Sequence, residues 1–308
     1  MALPPLLFHV GYHKTATTWL QNVVFKSENG FSPVLEHPEI FDTIVSPHGL
    51  MFDPSQARSK MQARRGNAGA GSVDVVSLES LTGNPFFGGR ESDDYAYRLK
   101  KIAPDAKILL TIREQIRIIA SVYMQYLLRG GTKPADRFFK GDAVGGYFRF
   151  DPEHFEYHRL VGLYQDLFGA DNVLVLPLET IAADQREAIR ILAEFTGNMQ
   201  IGEWTPHDAR GVSYPERAAP MLRRINHFRQ GPMNPFPVAN LGAVSDFAYR
   251  VAGGGLRRLG QTKTRPVTNI ARARFAGKFA HSNARLKEML AHKVDLSAYD
   301  GAGDKTAP

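Results

Sequence analysis

The stretch that most constrains this chain lies at its start, where Leu6-Leu-Phe-His-Val10 runs into Gly-Tyr-His-Lys-Thr-Ala-Thr-Thr-Trp19. Leu6 to Val10 is an apolar run with the length of a buried strand, and Gly11 permits a tight turn after it. From Thr17 to Phe25 the spacing predicts a helix, with Leu20, Val23 and Val24 on one face. Strand, short loop and helix form the unit whose loop amides and helix N-terminus point at an anion. Lys14 adds a full positive charge inside the loop, and Thr15, Thr17 and Thr18 add hydroxyls. A loop so rich in donors suits a phosphate. It is not the common nucleotide loop, G-x-x-x-x-G-K-[ST], whose two glycines are here Phe8 and His13.

Strands and helices alternate through the first 200 residues. Val73 to Leu81 is read as a strand with Glu79 at its carboxyl end, and Tyr95 to Ile102 as a helix. Lys107 to Arg113 reads as a strand buried on both faces, followed by a strong helix from Gln115 to Leu128. A helix from Asp151 to Phe168 is closed by Gly169. After it come a strand from Asn172 to Leu178, then Glu179, and an amphipathic helix from Asp184 to Gly197. This alternation predicts an α/β fold built on a parallel sheet.

Between these elements, Gly30 to Gly71 is read as irregular structure with one short helix near Gln56 to Arg64. Gly130 to Gly146 is read as a mobile lid, an acceptor-facing loop or a plain connector. Residues 205 to 265 are basic and weakly periodic, with a break at Gly253-Gly-Gly255. Ala271 to His292 reads as a closing helix.

In open α/β sheets ligands bind beyond the carboxyl ends of the strands. Glu79 there can take a proton from an attacking hydroxyl; its other readings are an N-cap or a surface glutamate. Arg113 and Ser121, eight residues apart, offer a planar fork of donors and a hydroxyl to a phosphate. His158 is read as a packed or solvated histidine rather than a base.

The chain has no cysteine, which excludes disulfides, thiol catalysis and cysteine-ligated metals. The first residues lack a basic leader region, and no run approaches the roughly 18 apolar residues of a membrane helix. The expectation is a soluble, cytoplasmic protein. Net charge is +7, and thirteen Lys and Arg face two acids between Arg210 and Lys278. Anionic partners are favoured: a nucleotide, an acidic glycan, or a lipid surface touched peripherally. Nucleic acid is not expected, because neither interleaved aromatics nor a named motif is present.

Lys14-Thr-Ala-Thr-Thr-Trp19 after an apolar strand resembles the 5′-phosphosulfate loop of sulfotransferases that use 3′-phosphoadenosine 5′-phosphosulfate (PAPS). That loop is written P-K-[ST]-G-T-T-W, and His13 and Ala16 stand here for its Pro and Gly. Arg113 and Ser121 resemble the family's second nucleotide motif, which grips the 3′-phosphate; Gln115 replaces its Pro. The block around Glu179 is also similar. The resemblance covers about residues 6 to 200 and is to the bacterial, carbohydrate- or polysaccharide-directed type.

The resemblance implies one sulfotransferase domain over 1–308. Residues 1–200 would form a P-loop nucleotide-binding-like core, a parallel sheet flanked by helices. Residues 201–308, with the loop and helical insertions, would complete the acceptor cleft. The implied reaction moves a sulfuryl group from PAPS to a hydroxyl, or in second place an amine, of a carbohydrate-like acceptor. It releases 3′-phosphoadenosine 5′-phosphate (PAP) and needs no metal.

Lys14 would stabilise the bridging oxygen, while His13, Thr15, Ala16, Thr17 and Thr18 hold the 5′-phosphate. Trp19 would stack on adenine or serve as a core residue. Arg113 and Ser121 would bind the 3′-phosphate, and Glu79 would be the base. Arg257, Arg258, Lys263 and Arg265 are candidates to complete the pocket. Two rivals stand beside this reading. A P-loop kinase or NTPase would need Mg²⁺ and a strand-terminal Asp, where these strands end in Glu79, Arg113 and Glu179. A non-enzymatic binder of nucleic acid or acidic polymer through the basic segment would leave the Lys14 loop without purpose.

Overall fold

The computed structural model describes residues 3–66, 69–141, 149–207, 214–258, 264–290 and 294–300, with backbone alone at 255–258. Five strands form one fully parallel sheet: β1 (Leu6–His9), β2 (Phe31–Pro33), β3 (Val73–Ser77), β4 (Lys107–Ile112) and β5 (Val173–Pro177). Their order is β2-β3-β1-β4-β5. β1 takes the middle because both of its faces are apolar. Leu6 and Phe8 enter the larger core, and Leu7 enters the smaller core on the other side of the sheet, as the two-residue period of a strand requires. Phe8 stands in register with Val76 on one side and Ile108 on the other.

α1 (Thr17–Trp19) precedes the Gly30 to Gly71 region, which holds β2 and α2 (His37–Ile40) besides α3 (Pro54–Gln62), the short helix expected near Gln56 to Arg64. β2 escapes sequence reading because it is three residues long and ends in Pro33. A proline is tolerated there because β2 is an edge strand, where one N–H faces no partner. The first helix is also not uniform: a π-helical turn, Leu20–Val24, follows α1 directly.

α4 (Ser92–Ile102), α5 (Gln115–Leu128), α6 (Ala135–Lys140), α7 (Tyr157–Phe168), α8 (Leu178–Ala183) and α9 (Gln185–Thr196) follow. α9 has both expected caps. Asp184 accepts from the N–H groups of Arg186 and Glu187, and Gly197 closes the helix at φ 73°. In the Gly130 to Gly146 stretch, 142–148 lie outside the described residues. The described part is packed rather than lid-like: Phe138 and Phe139 are buried, with Phe138 4.6 Å from Tyr126 and 5.0 Å from Phe150.

The C-terminal part is more helical than its sequence suggests, with α10 (Ala219–Asn226), α11 (Gly242–Arg258), α12 (Pro266–Phe275) and α13 (Ala280–Met289). α11 runs through Gly253-Gly-Gly255, which the sequence reading took for a break. Tertiary packing overrides the weak propensity of glycine there: a Cβ on Gly253 would lie 2.3 Å from the Tyr214 ring. The single closing helix is instead two, α12 and α13, parted near Gly277 at φ 72°. α12 lies on α5 and α13 on α7, so this part covers the helical layer beside the sheet.

Candidate active site

The loop after β1 stays zipped to β4 through Tyr12, because Val10 N–H bonds to Leu109 O and Tyr12 N–H to Thr111 O, both at 2.9 Å. Gly11 is obligatory in that crossing: a Cβ would sit 2.0 Å from Thr111 Oγ1 and 2.6 Å from His9 Nε2. The chain then makes two left-handed residues, Lys14 at φ 68° and Ala16 at φ 67°, either side of Thr15. Alternation of this kind turns successive N–H groups into a concavity that takes an anion. α1 opens from it with no side-chain cap, which leaves its first amides for a ligand. Each left-handed non-glycine residue costs about 1–2 kcal/mol, a local strain that the surrounding structure must offset.

A chain of buried polar groups holds the loop from below. Gln21 Nε2 donates to Ser77 O at 3.0 Å and to Ser77 Oγ at 3.1 Å. Ser77 Oγ lies 2.7 Å from His9 Nδ1, His9 Nε2 lies 3.2 Å from Thr111 Oγ1, and Thr111 Oγ1 lies 2.7 Å from Thr15 Oγ1. Thr15 Oγ1 donates to Tyr12 O. That last bond uses the only proton of Thr15, so Thr111 must donate to Thr15. His9 must then donate from Nε2, and Ser77 must donate to Nδ1. Every proton in the chain therefore points from Gln21 toward the loop. The pattern requires neutral His9, and burial pushes its pKa down to about 3.

Above the loop, β4 delivers the second cation. Arg113 follows the strand directly, and its carbonyl accepts from Tyr157 on α7 at 2.6 Å. Its Nη1 lies 3.0 Å from Ser121 Oγ on α5 and 3.5 Å from Lys14 O. Among the described residues, the hydrogen-bond contacts of this half-buried guanidinium are thus a hydroxyl and a carbonyl, not a carboxylate. Burial lowers the pKa of Arg113. Lys14 is lowered by burial first and by the Arg113 charge second, with Glu79 opposing. A buried lysine depressed further by a neighbouring guanidinium is the kind of place that favours a negatively charged ligand.

Glu79 opens a 3₁₀ turn just past β3, at the same rim. Its charge reaches both Lys14 and His13. Burial lowers the His13 pKa, Glu79 works against that, and Arg129 at the end of α5 and Lys14 add to it. His13 Nδ1 and Thr17 Oγ1 are buried without a hydrogen-bond partner among the described residues. Orphaned polar atoms of this kind call for a ligand to satisfy them.

The other expected residues divide. Thr18 is exposed at the rim, whereas Thr15 spends its hydroxyl on the buried chain and has only its amide left to offer. Trp19 is in the core, 5.9 Å from Trp204 and edge-on to it. Glu179 accepts from the Glu114 amide at 3.1 Å and from Tyr299 at 2.9 Å, so it organises the start of α5. His158 bonds Ser282 at 2.8 Å and ties α7 to α13. Arg265 precedes α12 at the surface; Lys263 and the side chains of Arg257 and Arg258 lie outside the described residues.

Sequence reasoning missed His9, Ser77, Thr111 and Tyr157. The first three had a signal: a polar residue inside an otherwise apolar strand must find a buried partner.

A sulfotransferase from Alicyclobacillus acidocaldarius matches this chain with a TM-score of 0.57, over 97% of this chain and 99% of the other, at 18% identity. The fold is that of a sulfotransferase. Two further structures are less similar. Mouse sulfotransferase SULT7A1 complexed with PAP has a TM-score of 0.41 and 15% identity over 94% of this chain and 89% of the other. The sulfotransferase domain from the curacin biosynthetic pathway has a TM-score of 0.38 and 10% identity over 90% and 99%. No protein-family model matches the sequence, and no curated protein aligns with it.

Proposed function

We propose that this protein transfers a sulfuryl group from PAPS to a hydroxyl of a carbohydrate-like acceptor. The observation that carries the reading is Arg113 Nη1, which reaches Ser121 Oγ and the carbonyl of Lys14, 99 positions away in the chain. That contact brings the two proposed phosphate-binding motifs side by side, which supports a nucleoside carrying phosphate at both ends as the ligand.

The loop amides and Thr17 would hold the 5′-phosphate, and Arg113 with Ser121 the 3′-phosphate. Glu79 would take the acceptor proton as the acceptor oxygen bonds to sulfur. The bond from sulfur to the bridging oxygen breaks, and PAP departs with the electron pair. Lys14 would meet the charge growing on that oxygen, which is electrostatic stabilisation by a group already in place. His13 borders both Glu79 and Lys14, so its neutral ring would leave the carboxylate free to act as base.

One observation disfavours the kinase reading. The acid that follows β5, Glu179, already has both oxygens engaged by Glu114 and Tyr299, and Mg²⁺ would have to share them.

Thermal melting with PAP, adenosine 5′-phosphate and Mg²⁺-ATP tests the reading. A ligand at about 100 times its Kd adds roughly 2.7 kcal/mol. A shift with PAP that EDTA does not alter is expected; a shift with Mg²⁺-ATP and none with PAP would sink the proposal. Glu79→Gln should lower the rate of the chemical step with PAPS by about 10²–10⁴-fold. An unchanged single-turnover rate would remove Glu79 from the base role.

A further inference from the structure

The outer face of α11 is apolar where a solvent-facing helix is ordinarily polar. Ser245, Tyr249 and Ala252 recur at helical spacing on its buried side. Val244, Phe247 and Val251 recur at the same spacing on the opposite side, exposed by 69, 64 and 53%. The lead-in to the helix extends that surface. Val238 N–H bonds to His227 O and Leu241 N–H to Phe228 O, and Phe236 just before them is 91% exposed.

This is not a frayed end. Arg229 bonds Asp246 at 2.7 Å and Leu128 O at 3.0 Å, its guanidinium lies 4.5 Å from the Tyr249 ring centre, and Met233 N–H bonds Arg129 O at 2.9 Å. Exposed apolar side chains recurring on one side of an anchored helix are the mark of an interaction surface.

The charge of the segment that carries it selects the partner. Thirteen Lys and Arg against two acids between Arg210 and Lys278 give a surplus of eleven, more than the +7 of the whole chain. Both acids are committed internally, Asp246 to Arg229 and Glu216 to the amide and hydroxyl of Thr268 at 2.8 and 2.6 Å. Arg224 and Arg250 are exposed on the helices that carry the face. A second copy of the chain, paired by a two-fold axis, would set this basic surface against itself. An anionic bilayer fits it: apolar rings enter the headgroup boundary while guanidinium groups meet lipid phosphates.

We propose that α11 and its lead-in dock this protein peripherally on an anionic membrane. The segment that leads into this face is bonded to the end of α5, Met233 N–H to Arg129 O.

Sedimentation with vesicles of phosphatidylcholine, with and without phosphatidylglycerol, tests the docking without nucleotide or acceptor, so it stands or falls apart from the sulfuryl-transfer reading. The chain should sediment with the anionic vesicles only, and less as salt rises. The double variant Phe236→Ser/Phe247→Ser should bind roughly tenfold or more weakly, and Arg224→Gln/Arg250→Gln should bind more weakly with a shallower salt dependence. Unchanged melting temperatures would show that both variants fold. Absence of binding to anionic vesicles, binding unmoved by the phenylalanine changes, or a dimer in light scattering that those changes dissociate would each overturn the proposal.

Discussion

Replacing Thr111 by Val takes one hydroxyl out of the buried chain beneath the loop and leaves the side-chain volume almost unchanged. That hydroxyl accepts from His9 Nε2 at 3.2 Å and donates to Thr15 Oγ1 at 2.7 Å. With valine there, a buried N–H of His9 has no acceptor, at a cost of about 1–3 kcal/mol. Thr15 loses one donor but keeps its bond to Tyr12 O, a further loss of about 0.5–1.5 kcal/mol. Thr111→Val should therefore destabilise by about 1.5–4.5 kcal/mol, a large share of the roughly 5–15 kcal/mol that holds a typical domain together. Thr111→Ser is the control: it keeps the hydroxyl, loses one buried methyl, and should cost about 0.5–1.5 kcal/mol. Urea unfolding at neutral pH gives both values. The loop rests on this chain, so the PAP-induced shift should shrink for Val and persist for Ser. A Val variant within about 0.5 kcal/mol of the parent, below the expected net worth of even one hydrogen bond, or a Ser variant as costly as Val, would refute the chain as the support of the loop.

Arg113→Ala should weaken PAP by roughly 10–100-fold, the worth of a hydrogen bond to a charged group, and leave adenosine 5′-phosphate nearly untouched. Equal losses on titration would unseat the 3′-phosphate assignment. Ala16 is left-handed at φ 67°, so Ala16→Val should destabilise by more than about 1 kcal/mol and Ala16→Gly by none, because only glycine occupies that region freely; chemical melts decide the order. Burial holds His9 and His154 near pKa 3, below the ordinary 6.5. Their folded values are depressed, so the stability they contribute is complete above pH 6.5 and drains away as pH falls toward 3. Each histidine adds a slope of about 1.4 kcal/mol per pH unit, and His9→Gln should flatten the acid limb of a stability profile.

The parallel sheet was legible because four of its strands are long apolar runs whose period and length allow little else, and α5 begins and ends where its spacing says. β2 was not, since three residues with a terminal proline carry no period. Lys14, Arg113 and Ser121 were legible as chemistry at a set spacing, but nothing local says that Arg113 reaches the carbonyl of Lys14. That contact depends on β1 and β4 pairing in one register. Thr15 shows the converse. A hydroxyl in a phosphate-type loop reads as a ligand donor, and only the burial of Thr111 and His9 beneath it reveals that its proton is already taken. The helices after Trp204 were obscured by glycine and proline, whose unfavourable propensities are overridden by contacts such as that of Gly253 with Tyr214.

The sheet order also governs when the protein can come into being as a binder. β1 is made first by the ribosome yet lies in the centre, flanked by partners 68 positions away at β3 and about a hundred away at β4. Until Arg113 has been threaded into place, the loop lacks its floor or its second cation. Loop closure over such separations slows folding, and a nucleotide has nothing to grasp while it proceeds. A bound nucleotide would therefore act as a latch and not as a nucleus, slowing the opening of a finished molecule while leaving the pace of its assembly unchanged.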